Sequence, residues 1–123
     1  MKPKLTEKQI ENSILQWLNL NGIFAFKINT TGIYDPTKNV FRSIQNKYIQ
    51  KGCADILGVL PGGRFLAIEV KTPTTIKRFL NRPTDADKRQ IKFLDTIERK
   101  RGIGIVVSCL EEVTIHLEEF VKR

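Results

Sequence analysis

Apolar residues recur along the chain at the spacing of amphipathic helices in three places. A capping box that begins at Thr6 starts the first helix, a similar cap at Thr84 starts the second, and one at Ser108 starts the third. Gly102 is predicted to end the second helix in a left-handed conformation. These signals predict helices over residues 6–20, 84–101 and 108–120.

Between the helices, short runs rich in β-branched and aromatic residues predict strands. The runs cover residues 23–28, 54–60, 64–71 and 103–107. Residues 29–51 are polar, with a small exposed hairpin predicted over 34–41, and residues 72–83 are predicted to form a basic loop. Because strands alternate with helices in this order, an α/β fold with a sheet between helices is expected, as a single domain over residues 1–123.

The loop between the second and third of these strands determines which side chains face each other. A two-residue turn would point Asp55 away from Glu69, because a slip of one residue moves a side chain to the opposite face. A three-residue loop of Pro61, Gly62 and Gly63 sets Asp55 opposite Glu69, with Lys71 next along the same face. We predict the three-residue loop.

Asp55, Glu69 and Lys71 interrupt strands that are otherwise apolar on both faces. Two opposed carboxylates repel each other unless a cation lies between them, and oxygen ligands suit Mg²⁺ or Mn²⁺. Lys71 would then stabilise charge on a phosphate or orient a water molecule. The alternative is a buried ion-pair cluster with no chemistry, and spacing alone leaves both interpretations open.

Composition excludes several other classes of protein. Two cysteines and one histidine cannot supply four zinc ligands or a disulfide framework. Mechanisms that need two histidines are excluded as well. No apolar run approaches the roughly 18 residues of a membrane span, and the N-terminal residues do not form a signal peptide. We therefore expect no membrane association and a reducing, intracellular location.

The net charge of +8 favours a polyanionic partner. Residues 71–101 contain ten basic and four acidic residues, so this segment accounts for +6 of the total. Either the basic side chains form a solvated face, or they flank the carboxylates as a phosphate-binding rim. The candidate DNA-binding residues are Lys38, Arg42, Lys47, Lys51, Lys77, Arg78, Arg82, Lys88 and Arg89.

Gly52-x-x-Asp55 followed by Glu69-Val70-Lys71, with Glu11 on the preceding helix and Gln90 on the following one, resembles the PD-(D/E)xK nuclease superfamily. The resemblance is narrower to its VRR-NUC (virus-type replication-repair nuclease) domains and extends over residues 7–117. One departure is visible, since Ala54 stands where that family usually has proline. The resemblance implies a restriction-endonuclease-like αβββαβ core, with a mixed central sheet flanked by helices.

The same resemblance implies roles for single residues. Asp55 and Glu69 would bind Mg²⁺ or Mn²⁺ together with the backbone carbonyl of Val70, and Lys71 would assist the nucleophilic water. Glu11 would be a further acid of the site, unless it only stabilises the first turn of its helix. Gln90 would lie near the site.

The hypothesis that follows is a metal-dependent DNA endonuclease, with Asp55, Glu69, Lys71, Gln90 and Glu11 as the candidate catalytic residues. Small stand-alone members of the resembled family resolve Holliday junctions, which implies a homodimer that cuts four-way junctions. The alternatives are a flap or branched-DNA nuclease, a restriction-type nuclease, and a non-catalytic nucleic-acid-binding protein.

Overall fold

Six strands and four α-helices are present in the computed structural model, which describes residues 4–28, 33–35, 40–42 and 52–121. The first half contains α1 (Glu7–Leu20), β1 (Phe24–Lys27), β2 (Ile33–Asp35), β3 (Val40–Arg42), β4 (Ile56–Val59) and β5 (Phe65–Val70). The second half contains α2 (Pro73–Asn81), α3 (Asp85–Arg99), β6 (Ile103–Val107), α4 (Leu110–His116) and the 3₁₀ turn Glu118–Phe120. The protein is therefore an α/β protein, as the alternation of patterns predicted.

Four of the strands form a mixed sheet in the order β1-β4-β5-β6. β4 is antiparallel to both β1 and β5, and β6 runs parallel to β5. A separate antiparallel pair joins β2 to β3, with Tyr34 opposite Phe41, which confirms the small hairpin. The residues that connect these two strands lie outside the described part of the chain.

The β4–β5 hairpin has the three-residue loop that the sequence predicted. Val59 pairs with Phe65, and the Leu60 N–H donates to the Arg64 carbonyl at 2.8 Å. Gly62 and Gly63 both have a positive φ, at 90° and 87°, which glycine adopts without strain. Continuing this register by one residue past Ile56–Ile68 sets Asp55 opposite Glu69.

Helices cover both faces of the sheet and form two unequal cores. On one face α1 and α4 pack against the strands, with Ile14, Leu18, Leu66 and Ile68 fully buried. On the other face α3 packs Leu94 against Ala67 and Ala54 in a smaller cluster. The long helices α1 and α3 therefore each bury one apolar face against the sheet. The polar residues of the strands lie where this packing ends.

The first helix begins as predicted. The Thr6 hydroxyl accepts from the Gln9 N–H at 3.1 Å, and the Gln9 side chain accepts from the Thr6 N–H at 2.8 Å. This reciprocal capping box satisfies two backbone donors that a helix start otherwise leaves without partners.

The prediction of a basic loop over residues 72–83 is wrong, because α2 occupies most of it. Thr72 caps this helix with Thr75 as its partner, and Pro73 stands at its first position, where a missing N–H costs nothing. Phe79 is fully buried. A nine-residue helix is marginal in isolation, so the burial of Phe79 supplies stability that the local pattern does not reveal.

The end of α3 also differs from the prediction. The left-handed residue is Arg101, with φ at 70°, and Gly102 has no positive φ. Gly102 is required for space, since a Cβ there would lie 2.7 Å from the Phe65 carbonyl oxygen and 2.7 Å from the Ile97 side chain. Gly102 therefore permits close approach of α3 to β5, and Arg101 is the left-handed residue at the end of the helix.

The last helix ends at His116 and not near residue 120, where a separate 3₁₀ turn follows. The prediction of a cap at Ser108 is wrong, because the N-cap is Cys109 and its side chain makes no capping hydrogen bond. Glu112 accepts from both the backbone N–H and the hydroxyl of Ser108, at 2.9 and 2.8 Å. No helix in the described part of the chain is long and apolar enough to span a membrane.

Candidate metal centre

The acidic side chains singled out in the sequence meet at one end of the sheet. Asp55 directly precedes β4, Glu69 is the penultimate residue of β5, and the N-terminal turns of α1 reach the same end. The β4–β5 ladder ends here, at the Ile56–Ile68 pair. The fold thus brings together residues from α1, from the bend before β4 and from β5.

Asp55 is fixed by the backbone of the neighbouring strand. One of its carboxylate oxygens, Oδ2, accepts from the Val70 N–H at 2.8 Å. Burial raises the pKa of Asp55, while this hydrogen bond acts in the opposite direction. Since Val70 follows Glu69, the bond holds the Asp55 carboxylate beside Glu69, on the side of the hairpin that the loop length predicts.

Glu69 is almost completely buried, with 1% of its surface exposed. Its Oε2 lies 3.3 Å from the Lys71 Nζ, whereas its Oε1 has no hydrogen-bond partner in the described structure. Burial, and then the nearby Asp55 charge, raise the pKa of Glu69 to about 8. A buried carboxylate oxygen without a partner is costly, so this atom has an open ligand position.

Lys71 lies between the carboxylate of Glu69 and an aromatic ring. Its side chain is 14% exposed, and its Nζ lies 4.8 Å from the centre of the Phe79 ring. Phe79 belongs to α2, the helix that begins two residues after Lys71. The ammonium is therefore held from two sides and directed toward Glu69.

Two acids of α1 complete the cluster. Carboxylate oxygens of Glu7, Glu11 and Asp55 lie within 4.8 Å of one another. Burial raises the pKa of Glu7, and the Asp55 charge adds to this effect. Glu11 is also buried and forms an ion pair with Lys27 of β1 at 3.0 Å. The predicted acid Glu11 is thus close to Asp55.

Glu7 was not among the site residues predicted from the sequence. The signal that points to it is its spacing, because residues i and i+4 share one helix face. If Glu11 faces the site, so does Glu7. Lys27 and Phe79 were missed as well, since their contacts depend on how strands and helices pack.

The donor set fits a hard divalent cation. Glu7, Glu11 and Asp55 bring carboxylate oxygens, the ligand type that Mg²⁺ and Mn²⁺ prefer, within 4.8 Å of one another; Glu69 is opposite Asp55 in the hairpin but is not one of these three. Among the described residues only two ammonium groups, those of Lys27 and Lys71, form ion pairs with this cluster. Within the described part of the chain these acids outnumber the bases, which favours binding of protons or of a further cation.

Gln90 does not contact these carboxylates in the described structure. It lies half-buried in α3, next to Gly52, where an added Cβ would lie 3.1 Å from the Gln90 backbone nitrogen. Its role near the site stays a prediction, as does the metal-ligating role of the Val70 carbonyl.

The candidate DNA-binding residues fall into three groups. Lys38, Lys47 and Lys51 lie outside the described residues, and for Arg42 of β3 only the backbone is described. Lys77, Arg82, Lys88 and Arg89 are exposed on and around α2 and α3. Arg78 instead donates to Asp87 at 2.8 Å, so it joins α2 to α3.

The two cysteines are free thiols, as expected for a protein without a disulfide framework. No family model, curated protein or solved structure matches the chain. A function for the protein is therefore inferred from the carboxylates, Lys71 and the exposed basic residues on and around α2 and α3.

Proposed function

We propose that this protein is a divalent-metal-dependent DNA endonuclease that hydrolyses phosphodiester bonds. The observation on which the proposal rests is Glu69, a fully buried carboxylate with one unpartnered oxygen, next to Asp55 and two residues before Lys71. A structural ion pair would need only one acid for each base. The surplus of buried carboxylate oxygens favours a cation site instead.

The connectivity of the sheet supports a restriction-endonuclease-like core of the PD-(D/E)xK type. With β2–β3 and α2 treated as insertions, the remaining elements run α1, β1, β4, β5, α3, β6, an αβββαβ order. The sheet is mixed, with one parallel pair at β5–β6. Such folds support many functions, so this likeness adds to the site and does not replace it.

Asp55 and Glu69 would bind the metal, with Glu11 and the Val70 carbonyl as the further ligands that the resemblance to VRR-NUC domains implies. Glu7 adds a carboxylate on the exposed side of the cluster. When bound, a divalent ion lowers the pKa of a water molecule and neutralises charge on the phosphate.

Lys71 provides the positive charge that the chain itself places at the site. Its ammonium can donate hydrogen bonds to a phosphate oxygen, where negative charge grows during the reaction, or orient the attacking water. Burial of Glu69 and Phe79 lowers the local dielectric, which strengthens this interaction. In the absence of substrate the same ammonium pairs with Glu69.

DNA is the proposed substrate because basic residues follow the site directly in the chain. Exposed Lys77, Arg82, Lys88 and Arg89 lie on and around α2 and α3, the helices that come after Lys71. Contacts of this kind bind the phosphate backbone and do not read bases, so they suit recognition of DNA shape. A four-way junction cut by a homodimer is the proposed substrate and assembly.

A panel of four-way junction, flap, nicked and linear DNAs, incubated with Mg²⁺ or with EDTA, tests the proposal. We expect Mg²⁺-dependent cleavage that is greatest on the junction and is lost in Asp55→Ala. Greater cleavage of the flap than of the junction would favour the alternative of a flap or branched-DNA nuclease. Salt-sensitive binding to every DNA without any cleavage would assign the non-catalytic alternative.

A further inference from the structure

The fold places an aromatic ring under the ammonium of Lys71, and this ring comes from a helix with no part in the carboxylate cluster. Phe79 is fully buried, and the Lys71 Nζ lies 4.8 Å from the centre of its ring. The same Nζ lies 3.3 Å from Glu69 Oε2. A cation over an aromatic face is attracted by the ring quadrupole, most strongly where water is excluded.

We propose that Phe79 is a positioning residue, which holds the Lys71 ammonium where it faces both Glu69 and a bound phosphate. The proposal deepens the proposed nuclease function and rests on it. A lysine side chain has four rotatable bonds and loses considerable freedom when it is fixed. The ring restricts the ammonium without offering it a hydrogen-bond acceptor, so all three N–H donors stay available to Glu69 and a phosphate.

The rest of α2 is built to keep Phe79 in place. Thr72 caps the helix directly after Lys71, which fixes the short connection between the ammonium and the ring. One residue before Phe79, Arg78 donates to Asp87 and ties α2 to the start of α3. The segment from Lys71 to Phe79 is therefore held at both ends.

The same helix and its C-cap residue present Lys77 and Arg82 to solvent, on either side of Phe79 in the chain. A phosphate backbone bound there would contact the element that also holds Lys71. Phe79 thereby links binding of the DNA phosphate backbone to the position of the Lys71 ammonium. Removal of the ring is expected to affect the chemical step more than binding.

Phe79→Leu tests this, because leucine keeps an apolar side chain in the buried site and removes the ring. Phe120→Leu is the matched control. Phe120 is half-buried in the C-terminal 3₁₀ turn, and its ring lies 5.4 Å from the Arg64 guanidinium, so the change removes a comparable contact elsewhere. Thermal unfolding of both variants checks that they fold.

The kinetic readout is the division of the effect between kcat and KM for the best DNA substrate. We expect Phe79→Leu to lower kcat roughly 3- to 30-fold, the range from an exposed to a desolvated cation–π contact, with KM for DNA nearly unchanged. Phe120→Leu is expected to leave both constants at their wild-type values. Wild-type kcat in Phe79→Leu, or an equal loss in Phe120→Leu, overturns the proposal.

Nuclear magnetic resonance tests the positioning itself and does not depend on activity. In the wild-type protein we expect nuclear Overhauser effects between the Lys71 ε-methylene protons and the Phe79 ring. An upfield ring-current shift of those protons should disappear in Phe79→Leu. If these signals are absent the positioning role is wrong, even where the protein cleaves DNA. If they are present in a protein that cleaves nothing, the nuclease proposal fails separately.

Discussion

The Asp55 carboxylate accepts a hydrogen bond from the Val70 backbone N–H at 2.8 Å. This contact joins the start of β4 to the end of β5 by a side chain where the backbone ladder no longer continues. It holds a partly buried acid beside a fully buried one, and electrostatic repulsion alone would separate them. The hairpin therefore keeps the two acids together despite this repulsion.

Asp55→Asn removes the charge of this residue and keeps its hydrogen bond to the Val70 N–H. The asparagine oxygen can still accept from Val70, so we expect the fold and thermal stability to change little. Loss of the charge should weaken Mn²⁺ binding at least about tenfold, measured by calorimetry. Asp55→Ala also removes the acceptor and should cost about 1–2 kcal/mol of stability. Wild-type Mn²⁺ affinity in Asp55→Asn would exclude this residue as a ligand.

The raised pKa of Glu69 predicts how stability depends on pH in the metal-free protein. The folded-state pKa is about 8, whereas the ordinary value is 4.5. Between these values the folded state binds more protons than the unfolded state, so the free energy of unfolding falls as pH rises. One proton sets an upper slope of about 1.4 kcal/mol per pH unit.

Glu69→Gln removes this titration. Urea unfolding in EDTA at pH 5, 6, 7 and 8 should show a smaller decline in the variant than in the wild type. The variant should be the more stable of the two at pH 8, where wild-type Glu69 must ionise in a buried site. Parallel curves would show that Glu69 titrates normally. Added Mg²⁺ should stabilise the wild type at pH 8 and have less effect on the variant.

Asp87 predicts the opposite pH dependence. The Thr84 N–H and the Arg78 guanidinium both donate to its carboxylate, and the first of these is the larger cause of its lowered pKa. Its contribution to stability is present above the ordinary value of 3.8 and is lost as pH falls through the lower folded-state pKa.

We expect Asp87→Asn to cost about 1–2 kcal/mol at pH 7, and less as the pH falls below about 4. Exposed Asp95 on the same helix supplies the control. Asp95→Asn should stay within about 0.5 kcal/mol of the wild type at every pH. A pH-independent loss in Asp87→Asn would assign the effect to packing instead of charge.

The Asp55–Glu69 pairing was predictable because the length of a hairpin loop determines its register. With three loop residues at Pro61–Gly63, the opposition of the two acids follows from alternation alone. The boundaries of β6 follow equally directly from an uninterrupted apolar run between Gly102 and Ser108. These signals are local, and no distant contact overrides them.

Helix α2 was not predictable in the same way. Pro73 and three β-branched residues after it have weak helix propensity, and the burial of Phe79 that compensates depends on tertiary packing. Approach of Glu7 and Glu11 to Asp55 likewise depends on the position of α1 across the sheet. The sequence shows which acids share a helix face, but not what that face meets.

Glu7→Gln tests the acid that the sequence pattern left out. We expect Mn²⁺ affinity to fall about 3- to 10-fold, less than for Asp55→Asn, because Glu7 is the more exposed ligand. Asp85→Asn is the matched control, since Asp85 is also an acid in the first turn of a helix and is exposed. Equal Mn²⁺ affinities for Glu7→Gln and the wild type would restrict the site to the other carboxylates.

Gly104 permits the close contact of α3 with β6. A Cβ at this position would lie 2.5 Å from the Leu94 carbonyl oxygen, which is backbone and cannot move aside cheaply. Gly104→Ala should therefore cost about 2–3 kcal/mol in urea unfolding. Gly22→Ala meets no atom within 4 Å and should cost about 1–2 kcal/mol, from its positive φ alone. A smaller loss of stability in Gly104→Ala than in Gly22→Ala would contradict this close contact between α3 and β6.

The most direct test of the nuclease proposal is single-turnover cleavage of DNA by the wild type, Asp55→Asn and Asp95→Asn with Mg²⁺. The proposal predicts cleavage by the wild type and Asp95→Asn that EDTA abolishes. It predicts a loss of roughly 100-fold or more in Asp55→Asn, as expected when several kcal/mol of charge stabilisation are removed. Equal cleavage by Asp55→Asn, or no cleavage of any DNA by the wild type with Mg²⁺ or Mn²⁺, would contradict it.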